Sequence, residues 1–168
     1  MRGTLRPAPV RTATGADAEA LYALSAPFMR SGALRPRTVA DYRRPGDRFL
    51  MVPGAATGGG PDGELDGCVA LRALPPEPRH PAAGLVHNFC VRDGRQGAGL
   101  GSRLLAALLA EAGRCGLRTL VTASTGDGAL FLRSGFREIP VALAPRSWAA
   151  GLDPARGSRV FALTLDRG

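Results

Sequence analysis

Three glycines alternate at Gly97, Gly99 and Gly101, between an apolar run that ends at Val91 and a leucine-rich stretch that opens near Ser102. A strand, a glycine turn and a helix start in that order present several backbone N–H groups at the positive end of a helix dipole. Glycine has no Cβ, so the main chain there can come close to a bulky anion. The chemistry this supports is the binding of a diphosphate. A nucleoside-triphosphate loop needs a lysine after its last glycine, and the chain has none: all 22 basic side chains are arginine. A dinucleotide fingerprint reads G-x-G-x-x-G in the first βα turn. Here the spacing is G-x-G-x-G, and it falls past the middle of the chain.

The second group that could do chemistry is His87, in the apolar run just upstream. Strict alternation puts it on one face with Phe89 and Val91. No Asp or Glu lies between Gly84 and Val91, so His87 and Cys90 are the titratable side chains of that run. Imidazole titrates in the range useful for relieving an amine of its proton. His80, in a proline-rich connection, is given no role.

Elements that could position these residues are read from periodicity and punctuation. Strands are expected at 5–12, 48–52, 65–74, 84–91, 120–122, 136–141 and 159–165. Helices are expected from Asp17 over 18–24, over 27–32, over 102–115 and over 128–134. In the third of these Leu104, Leu105, Leu108, Leu109 and Ala112 form one apolar face, and Gly116 is the expected C-cap. Residues 53–64 read as a flexible hairpin loop, and Trp148 as part of a loop. No internal repeat or second domain is visible, so one domain over 1–168 is expected.

Composition narrows the function classes. The formal net charge is +8, but no arginine run exceeds Arg43-Arg44, and aromatics make up only 5% of the chain. That is too few for a base-stacking surface, so no nucleic-acid partner is expected. No apolar run approaches the ~20 residues of a membrane span, and no signal segment is visible, so the expected location is the cytoplasm. Cys68, Cys90 and Cys115 form no C-x-x-C pair and join no histidine cluster, so no metal is expected. All three read as reduced, buried thiols. A homodimer is left open.

With these residues in view, the chain resembles the GNAT superfamily of N-acetyltransferases. Gln96, Gly97, Ala98, Gly99, Leu100 and Gly101 fit its acetyl-CoA signature Q/R-x-x-G-x-G/A at every defined position. The resemblance implies an α/β (α+β) fold: a mixed, mostly antiparallel sheet of about seven strands flanked by about four helices. It implies acetyl-CoA as cosubstrate, held by residues Gln96 to Ser102 with Arg103, and further along by Ser124 and Phe131. It also implies a splayed strand whose backbone at Phe89, Cys90 and Val91 holds the acetyl carbonyl. His87 then stands where relatives often carry a carboxylate that draws the amine's proton. The superfamily usually has a tyrosine four residues before a Gly-Phe pair, as acid for the leaving thiolate. Here that slot holds Phe131. Either the thiolate leaves unaided, its thiol having a pKa near ~8.5, or Tyr22, Tyr42 or Ser124 donates.

Two further segments look like those of N-acetylglutamate synthases. Residues 32–38 match G-x-L-x-x-R-S/T, and residues 156–160 match R-x-S-K/R-V. The resemblance implies that Arg37, Arg156 and Ser158 grip the carboxylate of an amino-acid acceptor, in a stand-alone form. Guanidinium suits a carboxylate because its planar fork binds both oxygens. The expected activity is acetyl transfer to a small amino acid, glutamate first, by direct attack without an acyl-enzyme. An antibiotic-like amine, a protein N-terminus, and a CoA-binding domain without catalysis are the alternatives.

Overall fold

The computed structural model describes residues 8–54, 63–97 and 99–166. Ala98, the start of the strand expected at 5–12 and most of the loop expected at 53–64 lie outside them. The described elements are β1 (Arg11–Thr12), α1 (Ala18–Arg30), β2 (Asp47–Pro53), β3 (Leu65–Ala73), β4 (Ala83–Val91), α2 (Leu100–Arg114), β5 (Thr119–Ser124), α3 (Ala129–Arg133), β6 (Arg137–Ile139), α4 (Arg146–Ala149) and β7 (Arg159–Thr164). The strands form one seven-stranded sheet in the order β1-β2-β3-β4-β5-β7-β6. Among them only β4 and β5 run parallel. No described helix is long and apolar enough to cross a membrane.

Period-two alternation divides β2, β3 and β4 between two cores. Leu50, Val52, Val69, Leu71 and Val86 pack against Leu100, Leu104, Leu105, Leu108 and Ala112 of α2. Phe49, Met51, Cys68 and Ala70 pack on the other face against Ala18, Leu21 and Leu24 of α1. Each large apolar side chain buried in this way contributes about 1.5–3 kcal/mol. The two helices therefore clamp the sheet from opposite faces.

Some elements differ from expectation. The two helical pieces before residue 32 are one 13-residue helix with Pro27 inside it. Pro27 withholds one N–H, whose partner would be the Ala23 carbonyl. Ala23 lies on the exposed side, where solvent can satisfy that oxygen. Trp148 belongs to the short helix α4. Gly116, at φ 73, stands one residue past the C-cap Cys115, and Cys115 is exposed, while Cys68 and Cys90 are buried. Its apolar neighbours misled: the end of an amphipathic helix turns its last residues outward.

The largest departure is in β4. Cys68 pairs with Cys90 and Ala70 with His87, so two steps on β3 are matched by three on β4. One residue too many opens a β-bulge. It centres on Asn88, at φ 47 the one non-glycine residue with positive φ among those described, and Asn is among the side chains that tolerate that region. The bulge reverses parity: Phe89 and Val91 join the α2 core, while His87 lies beside Phe49 on the α1 face, ring centroids 6.1 Å apart. His87 therefore does not share a face with Phe89 and Val91.

Gly128 caps α3 at φ 71, and a Cβ there would overlap the ring of Phe161. That ring is fully buried and stacks on Phe131 at 6.1 Å, so it has nowhere to move. Left-handed strain and overpacking together make Gly128→Ala cost roughly 2–4 kcal/mol. Urea denaturation should show the midpoint falling accordingly. An unchanged midpoint would mean that α3 can be re-seated without cost.

Candidate active site

The glycine turn opens on a groove of about 630 Å³ lined by Phe89, Cys90, Val91, Gln96, Gly97, Gly99, Leu100, Gly101 and Ser102. Gly97 at φ 83 and Gly99 at φ 80 are in the left-handed region, and a Cβ on either would meet nothing within 4 Å. These two glycines therefore answer to backbone conformation and to whatever enters the groove, not to internal packing. Gly101 differs: its Cβ would stand 3.0 Å from Leu130 Cδ2. The loop is tied down at several points. Gln96 Nε2 donates to Val91 O at 3.0 Å, Arg92 donates to Leu65 O at 2.8 Å, and Arg95 donates to Asp66 at 3.1 Å. Arg103 turns elsewhere, donating from Nη2 to Ala8 O at 2.5 Å. Ala98 lies outside the described residues.

Next to the groove β4 and β5 part. Their ladder ends at Leu85 and Val121, and Thr122 Oγ1 makes a last link by donating to Val86 O at 2.8 Å. Beyond it a cavity of about 400 Å³ is lined by His87, Asn88, Phe89, Ser124 and Phe131, among others. Phe131 is a wall, edge-on to Phe89 at 5.8 Å and to Phe136 at 5.3 Å. Ser124 Oγ accepts from Gly126 N at 3.1 Å and keeps its O–H to donate. Tyr42 is engaged instead in holding the bulge: its O–H donates to Asn88 Oδ1 at 3.2 Å, and Asn88 Nδ2 donates to Ser25 Oγ at 3.0 Å. Tyr22 packs edge-on against Tyr42 at 6.4 Å. Cys90 Sγ lies 3.8 Å from Cys68 Sγ; that neighbour and burial push the Cys90 thiol up, so it stays protonated.

The splay runs into a smaller cavity of about 180 Å³, where Arg37, Arg156 and Ser158 meet His87, Arg72 and Trp148. Arg37 comes from the loop after α1, Trp148 from α4, and Arg156 and Ser158 from the turn into β7. Two arginines clasp these segments across the cavity mouth. Arg156 donates to Gly32 O at 3.0 Å, and Arg35 donates to Gly151 O at 3.2 Å.

His87 is engaged at both ring nitrogens. Its Nδ1 lies 2.9 Å from Arg37 Nη2, and its Nε2 lies 3.3 Å from Asp47 Oδ1. A guanidinium donates and never accepts, so Nδ1 holds the lone pair and Nε2 the proton. Asp47 is fixed in turn by Arg72, whose Nε and Nη2 donate to its two oxygens at 2.6 and 2.9 Å. Burial opposes the charge on Asp47, but the bonds from Arg72 and His87 prevail and hold its carboxyl well below the usual range. For His87 burial dominates and draws the imidazole below its ordinary 6.5, partly offset by Asp47 and reinforced by the Arg37 cation. Neither Asp47 nor Arg72 stood out in the sequence. Asp47 does share parity with Phe49 and Met51, which puts it on the α1 face, and Arg72 is its register partner on β3. Pairing β2 with β3 was the signal that would have found both.

A model of the acetyltransferase (GNAT) family matches residues 18–136. Among solved structures the fold is similar to N-acetylglutamate synthase from Neisseria gonorrhoeae, complexed with coenzyme A and N-acetyl-glutamate, at TM-score 0.76 and 24% identity over 96% of this chain. The chain spans only 36% of the length of that synthase. It is also similar to Rv2747 from Mycobacterium tuberculosis, in complex with CoA and NLQ, at TM-score 0.70 and 18% identity over 94% of this chain and 99% of that one. A GNAT-family acetyltransferase from Staphylococcus aureus Mu50 aligns at TM-score 0.71 and 14% identity, over 94% and 99% of the two chains. At these identities the structural likeness is one of fold.

The charge pattern around His87 has a measurable sign. With two histidines in the chain, imidazole NMR resonances can be assigned by deleting either one. His87 should titrate below 6.5, and Asp47→Asn should lower it further by removing the anion that favours the imidazolium. Stability gained by keeping His87 neutral is present above pH 6.5 and lost as pH falls through the lowered value. A His87 resonance that titrates above 6.5 would contradict the burial argument.

Proposed function

The chain belongs to the GNAT family of acetyltransferases, and from that premise we propose that it transfers the acetyl group of acetyl-CoA to the amine of a small amino acid, glutamate first. The observation that carries this reading is one continuous opening. Phe89 and Leu130 line both the glycine groove and the splay, and His87, Asn88 and Ala123 line both the splay and the arginine-lined cavity. Two substrates entering from opposite ends would meet beside His87.

The groove suits acetyl-CoA. The left-handed Gly97 and Gly99 leave open the space that Cβ atoms would fill, and the 15-residue helix α2 begins at that point. Gly97, Gly99, Leu100, Gly101 and Ser102 would hold the diphosphate through backbone N–H groups, with Ala98 between them. Phe89, Cys90 and Val91 would face the acyl end. Bound acetyl-CoA supplies the activated acyl carbon of a thioester. Arg103 is left to hold the N-terminal segment.

The chain's own side chains do the rest. His87, neutral and oriented by Asp47, takes the proton of the acceptor's ammonium. Arg37, Arg156 and Ser158 hold the acceptor's carboxylate. Trp148 and Leu152 line the same cavity. Phe131 has no proton to give the departing thiolate, and Ser124, in the splay with its O–H available, is the donor the geometry favours. Attack is direct: Cys90, the nucleophilic side chain nearest this path in sequence, is held as a thiol. The ligands of the Neisseria synthase support an acidic acceptor, coenzyme A and N-acetyl-glutamate lying in one structure there.

The test is a screen of amino acids with release of free thiol as readout, with L-glutamate expected among the best acceptors. Gly99→Ala should weaken acetyl-CoA binding by calorimetry: the new Cβ meets nothing internal within 4 Å and projects into the groove. The left-handed φ of 80 costs about 1–2 kcal/mol of stability, so the melting temperature is measured alongside and the binding loss is read on folded protein. Arg156→Ala should leave acetyl-CoA affinity alone and weaken acceptor use roughly ten- to a hundred-fold, as a charge-assisted bond of about 1.5–3 kcal/mol requires. If amidated acceptors are turned over as well as the free acids, the amino-acid reading fails.

A further inference from the structure

The lone pair that makes His87 a base is already in use. Nδ1 accepts from Arg37 Nη2 at 2.9 Å, and Nε2–H is engaged with Asp47. An imidazole engaged at both nitrogens cannot take a proton until one partner leaves. Asp47 is not the one to move: it is gripped through two bonds by Arg72, and its side chain is 1% exposed. Arg37 is the more easily displaced partner: among the described side-chain hydrogen bonds its guanidinium makes the single one to His87 Nδ1. Its backbone precedes a turn anchored independently, where Thr38 N donates to Asp41 Oδ2 at 2.8 Å, so the long side chain can swing while the loop stays. Arg37 and His87 both line the acceptor cavity.

We propose that Arg37 is a specificity gate as well as a carboxylate receptor: its guanidinium caps His87 Nδ1 in the free protein, and an acceptor's carboxylate draws it off, freeing that nitrogen for the acceptor's ammonium proton. The gate rests on the reading of the cavity as an amino-acid site with His87 as its base. The exchange favours the carboxylate, because one bond to a neutral ring nitrogen is replaced by two charge-assisted bonds to an anion. The proton step balances. An N–H bond of the ammonium breaks and an N–H bond forms at Nδ1. The positive charge passes to the imidazolium, whose Nε2–H stays on the Asp47 carboxylate.

The charged groups facing His87 are Arg37 from the loop after α1, Asp47 from β2 and Arg72 from β3. Arg35, Arg156 and Asp153 line the same cavity. Neutralising Arg37 removes the cation closest to Nδ1 and raises the affinity of that nitrogen for a proton. An amine without a carboxylate therefore suffers twice. It loses a binding contact, and it meets a base that is still capped.

This makes a prediction of opposite signs. Arg37→Met keeps an apolar stem and removes the cap together with the receptor; Arg37→Ala repeats the measurement with a smaller side chain. With L-glutamate, kcat/KM should fall about tenfold or more. With glutamate diamide, in which both carboxyls are amides, kcat/KM should rise severalfold above wild type. In parallel, the NMR titration of His87 should move up in Arg37→Met without any acceptor, and in wild type on adding L-glutamate. If wild type uses the diamide as well as glutamate, the amino-acid reading falls and takes the gate with it. If glutamate is preferred but the variant turns over the diamide no faster, or the His87 titration does not rise, the gate alone is overturned.

Discussion

One surplus residue in β4 is the constraint on which the rest of the site depends. Asn88 occupies a left-handed conformation that costs about 1–2 kcal/mol for most side chains. The structure holds it there with bonds to Tyr42, Ser25 and Cys68. Three consequences follow. The ladder to β5 ends at Leu85, so the strands part and leave a passage. Phe89 and Val91 turn to the α2 core, where their backbone faces the glycine groove. His87, on the other side of the bulge, is turned toward β2 and meets Asp47. An in-register β4 would put His87 on one face with Phe89 and Val91, so that either the histidine would turn away from Asp47 or the two apolar side chains would leave the α2 core.

The second organising element is electrostatic. Asp47 and Arg72 are register partners on β2 and β3, and their two-point bond sits beneath His87. A buried pair of this kind adds little net stability, because desolvation offsets most of the attraction. Its value lies in orientation. Asp47 fixes which ring nitrogen carries the proton, and so directs the lone pair toward Arg37 and the acceptor cavity. The arginines at the mouth divide the work: Arg35 and Arg156 tie loop to loop through carbonyls, while Arg37 rests on a neutral ring. Of the three, Arg37 has the partner most easily replaced by an anion.

How much of this could be read from the sequence follows from the range of each interaction. The glycine turn, the α2 apolar face and most strands were legible, because glycine conformation, helical period and strand period act within a few residues. The segments carrying Arg37, Arg156 and Ser158 were legible as short patterns, and the fold brings them into one cavity. The face of His87 was not. A bulge is a one-residue change of parity, and nothing local to Asn88 announces it beyond the tolerance of asparagine for positive φ. Asp47 and Arg72 were missed for a different reason: their meaning exists only once β2 and β3 are paired. Arg103 shows how far nearness in sequence reaches. Its place in the helix after the turn put it with the groove residues, but its side chain turns to the Ala8 carbonyl.

The two ends of the passage are built from different material, and this bears on what each can recognise. The glycine groove presents main chain, and on the proposed reading its N–H groups would bind any diphosphate of suitable shape, with little dependence on side-chain identity. The acceptor cavity presents side chains delivered from the loop after α1, from α4 and from the turn before β7, segments distant in sequence and joined by arginine-to-carbonyl bonds. On the proposed reading, substitutions there would alter acceptor choice without disturbing the groove, because no described backbone hydrogen bond links those loops to the turn at Gln96 and Gly97. His87 stands where the two regimes meet. It lies next to the strand bulge, which belongs to the fold, and its Nδ1 is engaged by Arg37 of the arginine-lined cavity. Under the proposed gate, a base controlled from the acceptor side would tie proton removal to recognition, and an amine that fails to engage Arg37 would be disfavoured at the chemical step and not only in binding.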